Sequence, residues 1–441
     1  MAEGRPYRPP YRTVVKPYGR ALVELARRHP EVVCLSGDLT RQCEVDLVQA
    51  EFGDRFIHAG MAEANMIGVA GALARQGFMP FVHSFGVFLT RRPLDQIVNA
   101  VAYPRLPVRL VGFMPGVSSP GGPSHQAIED VALMRAIPGM TVIDVADATE
   151  TAQVVAAMAR VPGPVYLRLK RGEIPVIFPA DHRLSLDRAQ VLEWRGEEMG
   201  GGALTTGGAG TEGGGVTSGG AQTSGGGVTR GGAQIAGAAV TEGGGHSAGG
   251  AVTGGGAQTA GLADTDGDGV SAGGGVSRGG AGIRGEAWTS VSGATVSCDV
   301  ALFVSGMMIA PALAAARVLR AAGAVTVVVN VPVIKPLDTA TVQSVATSAK
   351  AVVTAENHSV IGGLGSAVAE TLAEAGLGRP LRRVGLADTF AEGARDAPYL
   401  FAKYGLSTQH IVEGAWQALQ RPGPAPRAPA VPADAGEYAP V

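Results

Sequence analysis

Between residues 14 and 180, short apolar runs alternate with segments whose apolar positions recur at helical spacing. Tyr18 to His29 puts Ala21, Leu22, Leu25 and Ala26 on one face and predicts a helix. The run EVVCLSGD that follows is apolar, ends in Gly-Asp and predicts a strand. RFIHAG then leads into EANMIGVAGALARQG, an alanine-rich helix closed by Gly77. FMPFVHSF, RRPLDQIVNAVAY, PVRLVGFMPG, DVALMRAIPG, MTVIDVAD and ATETAQVVAAMARV continue the alternation, with PVYLRLKRG as its final strand. Short apolar strands alternating with helices predict a parallel sheet covered on both faces, a doubly wound α/β unit spanning 14–195.

The pattern stops near Met199. Up to about Gly285, glycine alternates with Ala, Thr, Ser, Val and Gln in loose repeats such as GGGVTSGGAQTSGGGVTRGGAQ. Such a tract buries little apolar area and loses much backbone entropy on ordering, so 199–290 is expected to be a disordered insertion. A repeat solenoid is the competing reading, opposed by irregular spacing and by the lack of a recurring apolar position. Beyond it, CDVALFVSG, APALAAARVLRAAG, VTVVVNVP, LDTATVQSVATSA, AVVTAEN and GLGSAVAETLAEAG predict a second α/β unit over 294–420. The Pro/Ala-rich stretch 421–441 is expected to be a mobile tail.

Composition narrows the function class. At roughly 150 residues per domain, 441 residues suggest two or three domains. Apolar residues make up 46% and aromatics 5%, so the cores must be built mainly of Ala, Val and Leu. A net charge of -2 with no long basic block gives no electrostatic reason to expect nucleic acid or an anionic membrane as partner. Cys34, Cys43 and Cys298 are too scattered for a disulfide framework or zinc cluster, and a reducing, cytoplasmic compartment is the expectation. The basic N-terminus has no apolar stretch of signal-peptide length after it, and no segment approaches the roughly 18 apolar residues of a membrane span.

Candidate chemistry lies in four segments. Glu63 opens a helix in GMAEANMIGVAGALARQG. A Glu in a first helical turn is ordinarily a solvated residue favoured by the helix dipole. Here Met61, Ala62, Ala64, Met66 and Ile67 leave little else polar in the turn, and a carboxylate among apolar neighbours can hold or share a proton near neutrality. Phe85 and Phe88 in SFGVFLTRRPLDQIVNA read equally as core filling or as a stacking platform. His125 in GGPSHQAIEDVALMRAIPGMTV reads locally as a surface histidine. Arg171 in VYLRLKRGEIP, with Arg168 and Lys170 nearby, reads as an anion-binding fork or as a solvated basic cluster.

These segments, in this order, resemble the pyrimidine-binding domain of transketolases and deoxyxylulose-phosphate synthases. DVALFVSGMMIAPALAAARVL, KPLD (Lys335 to Asp338) and AENHSVIGGLGSAVAETL resemble the C-terminal domain of the same thiamine diphosphate enzymes. The resemblance implies that Glu63 shares a proton with ring nitrogen N1′ of the cofactor aminopyrimidine and so promotes deprotonation of the thiazolium C2. It places Phe85 and Phe88 against the aminopyrimidine, His125 by the thiazolium and substrate, and Arg171 on a substrate phosphate. Asp38 in SGDLT resembles a short motif near the cofactor. The C-terminal domain is structural in the family and helps dimer contacts.

The family binds diphosphate and magnesium through GDG followed, about 25 to 30 residues later, by Asn, in an N-terminal domain that does not match here. Gly267-Asp268-Gly269 has no Asn until Asn330, and DTDGDG lacks the closing Glu of a calcium loop. The resemblance therefore implies a separate N-terminal, diphosphate-binding subunit that carries Mg2+, shares thiamine diphosphate with this chain and forms a two-plus-two heterotetramer with it. Gly121 stands where sugar-using members usually carry a hydroxyl-reading Asp, and Phe113 replaces a substrate-holding His, which predicts a less polar pocket. The expected activity is two-carbon ketol transfer between sugar phosphates or related polyols. A 2-oxoacid-using relative and a non-catalytic scaffold are the alternatives.

Overall fold

Six of the expected apolar runs become the parallel strands of one sheet. The computed structural model describes residues 11–195, 287–291, 297–394 and 396–429. Most of the glycine-rich tract and of the terminal stretch, both read above as disordered, lies outside the described residues. Strand β1 (Thr13–Val15) pairs antiparallel with β8 (Glu173–Pro175) as a small two-stranded piece. The main sheet takes β2 (Val32–Ser36), β3 (Phe56–His58), β4 (Met79–Phe85), β5 (Arg109–Phe113), β6 (Thr141–Asp144) and β7 (Val165–Leu169), all mutually parallel.

Both faces are covered, as strands buried along most of their length require. Helices Pro17–Arg28 and Ala148–Ala159 bury Leu22, Leu25, Val154 and Met158 on one side. Helices Glu63–Arg75 and Asp130–Ala136 bury Met66, Ile67, Val131 and Met134 on the other.

The second sheet has the order β10-β9-β12-β11-β14-β15. Strands β11 (Cys298–Val304), β12 (Thr326–Asn330), β14 (Ala349–Ser359) and β15 (Leu381–Leu386) run parallel. Strand β9 (Gln190–Arg195) joins antiparallel to β12, and β10 (Ala287–Val291) antiparallel to β9. Thus Gln190–Arg195, read from the sequence as the end of the first unit, contributes its backbone to the second sheet. In return, β13 (Val333–Lys335) crosses to the first sheet as an antiparallel edge strand on β6, giving the order β13-β6-β7-β5-β4-β2-β3. The two sheets therefore exchange strands. Among the described residues, no helix is long and apolar enough to cross a membrane.

A buried polar joint reinforces the exchange. Arg168, fully buried on β7, donates to Asp130 and Asp144 at 2.8 Å and, from Nη2, to the Asn357 carbonyl at 3.0 Å. Burial acts against the Arg168 charge, but Asp130 and Asp144 outweigh it and its pKa is raised. The Ser305 hydroxyl donates to Asp144, the Val117 N–H to Asn357 Oδ1, and Asn357 Nδ2 to the Pro115 carbonyl. Gly116 is required here: its φ is +58°, and a Cβ would lie 2.2 Å from the Asn357 carbonyl oxygen. Arg168 is thus a member of a dry ion-pair network and not of a solvated basic cluster.

Candidate active site

In a parallel α/β sheet the carboxyl ends of the strands lie on one edge, and the loops that leave them form the usual binding crevice. Here Asp38 follows β2, Glu63 follows β3, Phe88 follows β4, His125 lies in the loop after β5, and Arg171 follows β7. All six sequence candidates, Phe85 included, thus come from one edge of the first sheet.

Glu63 is the first residue of its helix, and its side chain is 1% exposed. Its partner was not apparent from the local sequence. Arg92, just past the helix Gly86–Arg91, donates from Nη1 to Glu63 Oε1 at 2.8 Å and Oε2 at 2.9 Å. The Ser84 hydroxyl adds a longer contact to Oε1 at 3.3 Å. The expectation of a carboxylate left among apolar groups is therefore corrected: a cation 29 residues further on folds over it. The same guanidinium carbon lies 4.1 Å from the centroid of the Phe88 ring, a cation–π contact.

Phe85 and Phe88 stack with their centroids 6.0 Å apart. The His125 ring meets Phe88 edge-on at 5.3 Å and Phe85 at 6.4 Å. His125 Nδ1 lies 2.9 Å from the Ser124 hydroxyl. Arg91, another residue the local sequence did not single out, fastens this loop. It pairs with Glu129 and donates to the carbonyls of Pro123 at 3.0 Å and Gln126 at 3.2 Å. Adjacent arginines at the end of one short helix therefore hold the two chemically interesting loops. The visible signal for both was an Arg-Arg pair closing an otherwise apolar segment.

Gly121 is shaped by His125. A Cβ added there would stand 2.8 Å from His125 Cβ and 2.9 Å from its Cγ, so any side chain would push the imidazole out of place. The missing Asp at this position is thus consistent with the packing of the loop. Phe113 is different. It is fully buried and packs edge-on against Tyr18 at 5.6 Å, which makes it core and not pocket wall. The expectation that Phe113 makes the pocket less polar is corrected accordingly.

Asp38 adopts φ +68° at the end of β2, and its Oδ1 lies 3.2 Å from Nε2 of His58, which ends β3. His58 lies five residues before Glu63 in the chain, and the pair was only half visible in the sequence, since His58 carried no pattern. Arg171 is half-buried beyond β7, and its charge acts on the buried Cys43 thiol, which burial pushes upward. Lys170 beside it donates to the Glu173 carbonyl, and burial pushes its amine down to about 7. Among the described residues, no cluster of three or more His, Cys, Asp or Glu could hold a metal ion.

The chain is similar to known proteins over most of its length. Residues 11–176 match the model of the transketolase pyrimidine binding domain, and 294–411 that of the transketolase C-terminal domain. An uncharacterised transketolase family protein, y4mN of Sinorhizobium fredii, is 33% identical over 90% of this chain and 86% of its own length. The 6-deoxy-6-sulfo-D-fructose transketolase subunit SqwH of a Clostridium species is 32% identical over 92% of this chain and 94% of its own length. A solved structure described as a split gene transketolase, inactive beta4 tetramer, is 30% identical. Its TM-score is 0.62, with 92% of this chain and 97% of that one covered. The chain belongs to the transketolase family of thiamine diphosphate enzymes. Its two domains are those of a split transketolase subunit.

Proposed function

We propose that this chain is the pyrimidine-binding subunit of a two-subunit, cytoplasmic transketolase, which transfers a two-carbon ketol unit between sugar phosphates or related anionic sugars. One observation carries the reading: a buried carboxylate, Glu63, faces a planar cation that lies on an aromatic ring. A flat, cationic N–H donor therefore fits between Glu63 and Phe88, and an aminopyrimidine protonated on its ring nitrogen is such a group.

Thiamine diphosphate, when bound, supplies the electron sink that lets a carbon–carbon bond beside a carbonyl break and form. In this reading Glu63 holds and exchanges the proton at N1′, with Ser84 steadying the carboxylate. Phe85 and Phe88 pack on the pyrimidine and exclude water from that proton. His125, held by its loop against both rings, orients the substrate and passes a proton at its reacting oxygen. Asp38 lines the cofactor side of the crevice. Arg171 takes the anionic end of the sugar, a phosphate or sulfonate, both of which accept from its donor fork.

A partner subunit with the diphosphate-binding domain is assigned the diphosphate and Mg2+. The sequence's only GDG, Gly267 to Gly269, falls outside the described residues and has no Asn before Asn330. The name of the Clostridium relative, a subunit, and the inactive state named for the split-gene tetramer support dependence on a partner. A two-plus-two assembly follows if the two halves meet across two-fold interfaces.

Calorimetry tests the proposal. The chain by itself is expected to bind thiamine diphosphate weakly; with a partner bearing GDG and Asn, tight Mg2+-dependent binding and co-elution as a two-plus-two complex are expected. Tight Mg2+-dependent binding by this chain alone would overturn the shared-site reading.

A further inference from the structure

Glu63 and Arg92 form an unequal pair. The Glu63 side chain is 1% exposed and the Arg92 side chain 44% exposed. A buried carboxylate that loses its cation pays a large desolvation penalty, whereas a half-exposed guanidinium can turn into water at small cost. Arg92 contacts Glu63 through Nη1, while its guanidinium carbon lies over the Phe88 ring, 4.1 Å from the centroid. Its neighbour Arg91 has no such freedom, being tied to Glu129 and two loop carbonyls. Arg92 sits in right-handed helical backbone directly before Pro93, so its movement falls to the side chain.

We propose that Arg92 is a positioning residue that occupies the pyrimidine place of the unloaded site. It supplies what the cofactor ring supplies: a planar cation on Phe88 and N–H donors to Glu63. It keeps the carboxylate aligned and paired until the cofactor arrives, then turns outward to solvent. Loading is thus an exchange of one N–H donor for another at Glu63, which spares the buried charge an unpaired intermediate. The proposal rests on reading Glu63 as the pyrimidine-facing group. It adds that this subsite is self-occupied, so cofactor affinity is set partly by competition within the chain.

The test uses thiamine, which has the pyrimidine but no diphosphate and so does not need the partner's half of the site. The full-length chain, Arg92→Ala, Arg92→Lys and the double variant Glu63→Gln/Arg92→Ala are titrated by calorimetry, with folding checked by circular dichroism. Arg92→Ala is expected to bind about tenfold more tightly than the unaltered chain, the order of one half-exposed, charge-assisted pair. Arg92→Lys should fall between them, since it keeps the charge and loses the stacked plane. The double variant should fall back to weak binding. In the unaltered chain, the Arg92 side-chain N–H signal should move as thiamine saturates, a change that a purely structural arginine would not show. Equal affinity of the unaltered chain and Arg92→Ala would overturn the exchange and leave the pyrimidine reading standing. Weaker binding by Arg92→Ala would also overturn it, by making Arg92 part of the loaded site. No saturable binding by any of the four chains would remove both the exchange and the pyrimidine reading.

Discussion

A carboxylate with 1% of its side chain exposed persists only with a partner, and Glu63 has two, Arg92 and Ser84. Glu63→Gln keeps the size of the side chain and removes its ability to take up and return a proton. In the assembled enzyme, exchange of the thiazolium C2 proton for deuterium should slow about 10²- to 10⁴-fold, the usual range for a lost acid–base contribution. The loss should appear in kcat more than in cofactor affinity. Equal exchange rates would mean that Glu63 does not activate the cofactor. At this scale the residue types were legible: a Glu in an apolar helix start, paired phenylalanines and a histidine in a Gly/Pro loop each carried a pattern. Arg92 showed only as half of an Arg-Arg pair and His58 not at all, because each finds its partner only through a loop closure that brings separate segments together.

At the scale of elements, the glycine-rich tract leaves and re-enters the fold through one hairpin. Arg195 on β9 lies directly across from Ala287 on β10, so the two ends of the intervening chain are one strand spacing apart. A two-residue Asn-Gly turn closes such a pair without altering its register. Replacing 197–285 by a short turn of this kind should therefore leave the melting temperature within a few degrees of the original. Activity with the partner should also be unchanged, since loop-closure cost changes slowly with length. A chain that no longer folds, or that folds and loses turnover, would show the tract to be structural or functional. The strands themselves were visible as VVCLS-like apolar runs. That Gln190–Arg195 belongs to the second sheet was not, because strand pairing is settled by distant partners, here Val328 to Asn330.

At the scale of the whole molecule, the dry joint around Arg168 links the two sheets. Arg168→Met would leave Asp130 and Asp144 facing each other without a cation, and burial already pushes the Asp144 carboxyl upward. Breaking a buried pair in this way typically costs about 3–5 kcal/mol, and urea unfolding should show a loss of that order. A loss below about 1 kcal/mol would mean that water or a neighbour takes over the role of the cation. The strand exchange predicts further that the two domains unfold together in one transition, since removing either strips an edge strand from the other sheet.

Periodicity and composition alone determined the α/β class and the two units. These depend on local spacing: a period of 3.6 or an apolar run can be read within ten or fifteen residues. Tertiary structure alone decided that the sheets exchange strands, that Arg168 is buried, that Phe113 is core, and that Arg92 sits on Phe88 and Glu63. Each of these is a contact between segments far apart in the chain, whose energy depends on desolvation and on a partner's exact position. Neither quantity is carried by the local pattern of residues.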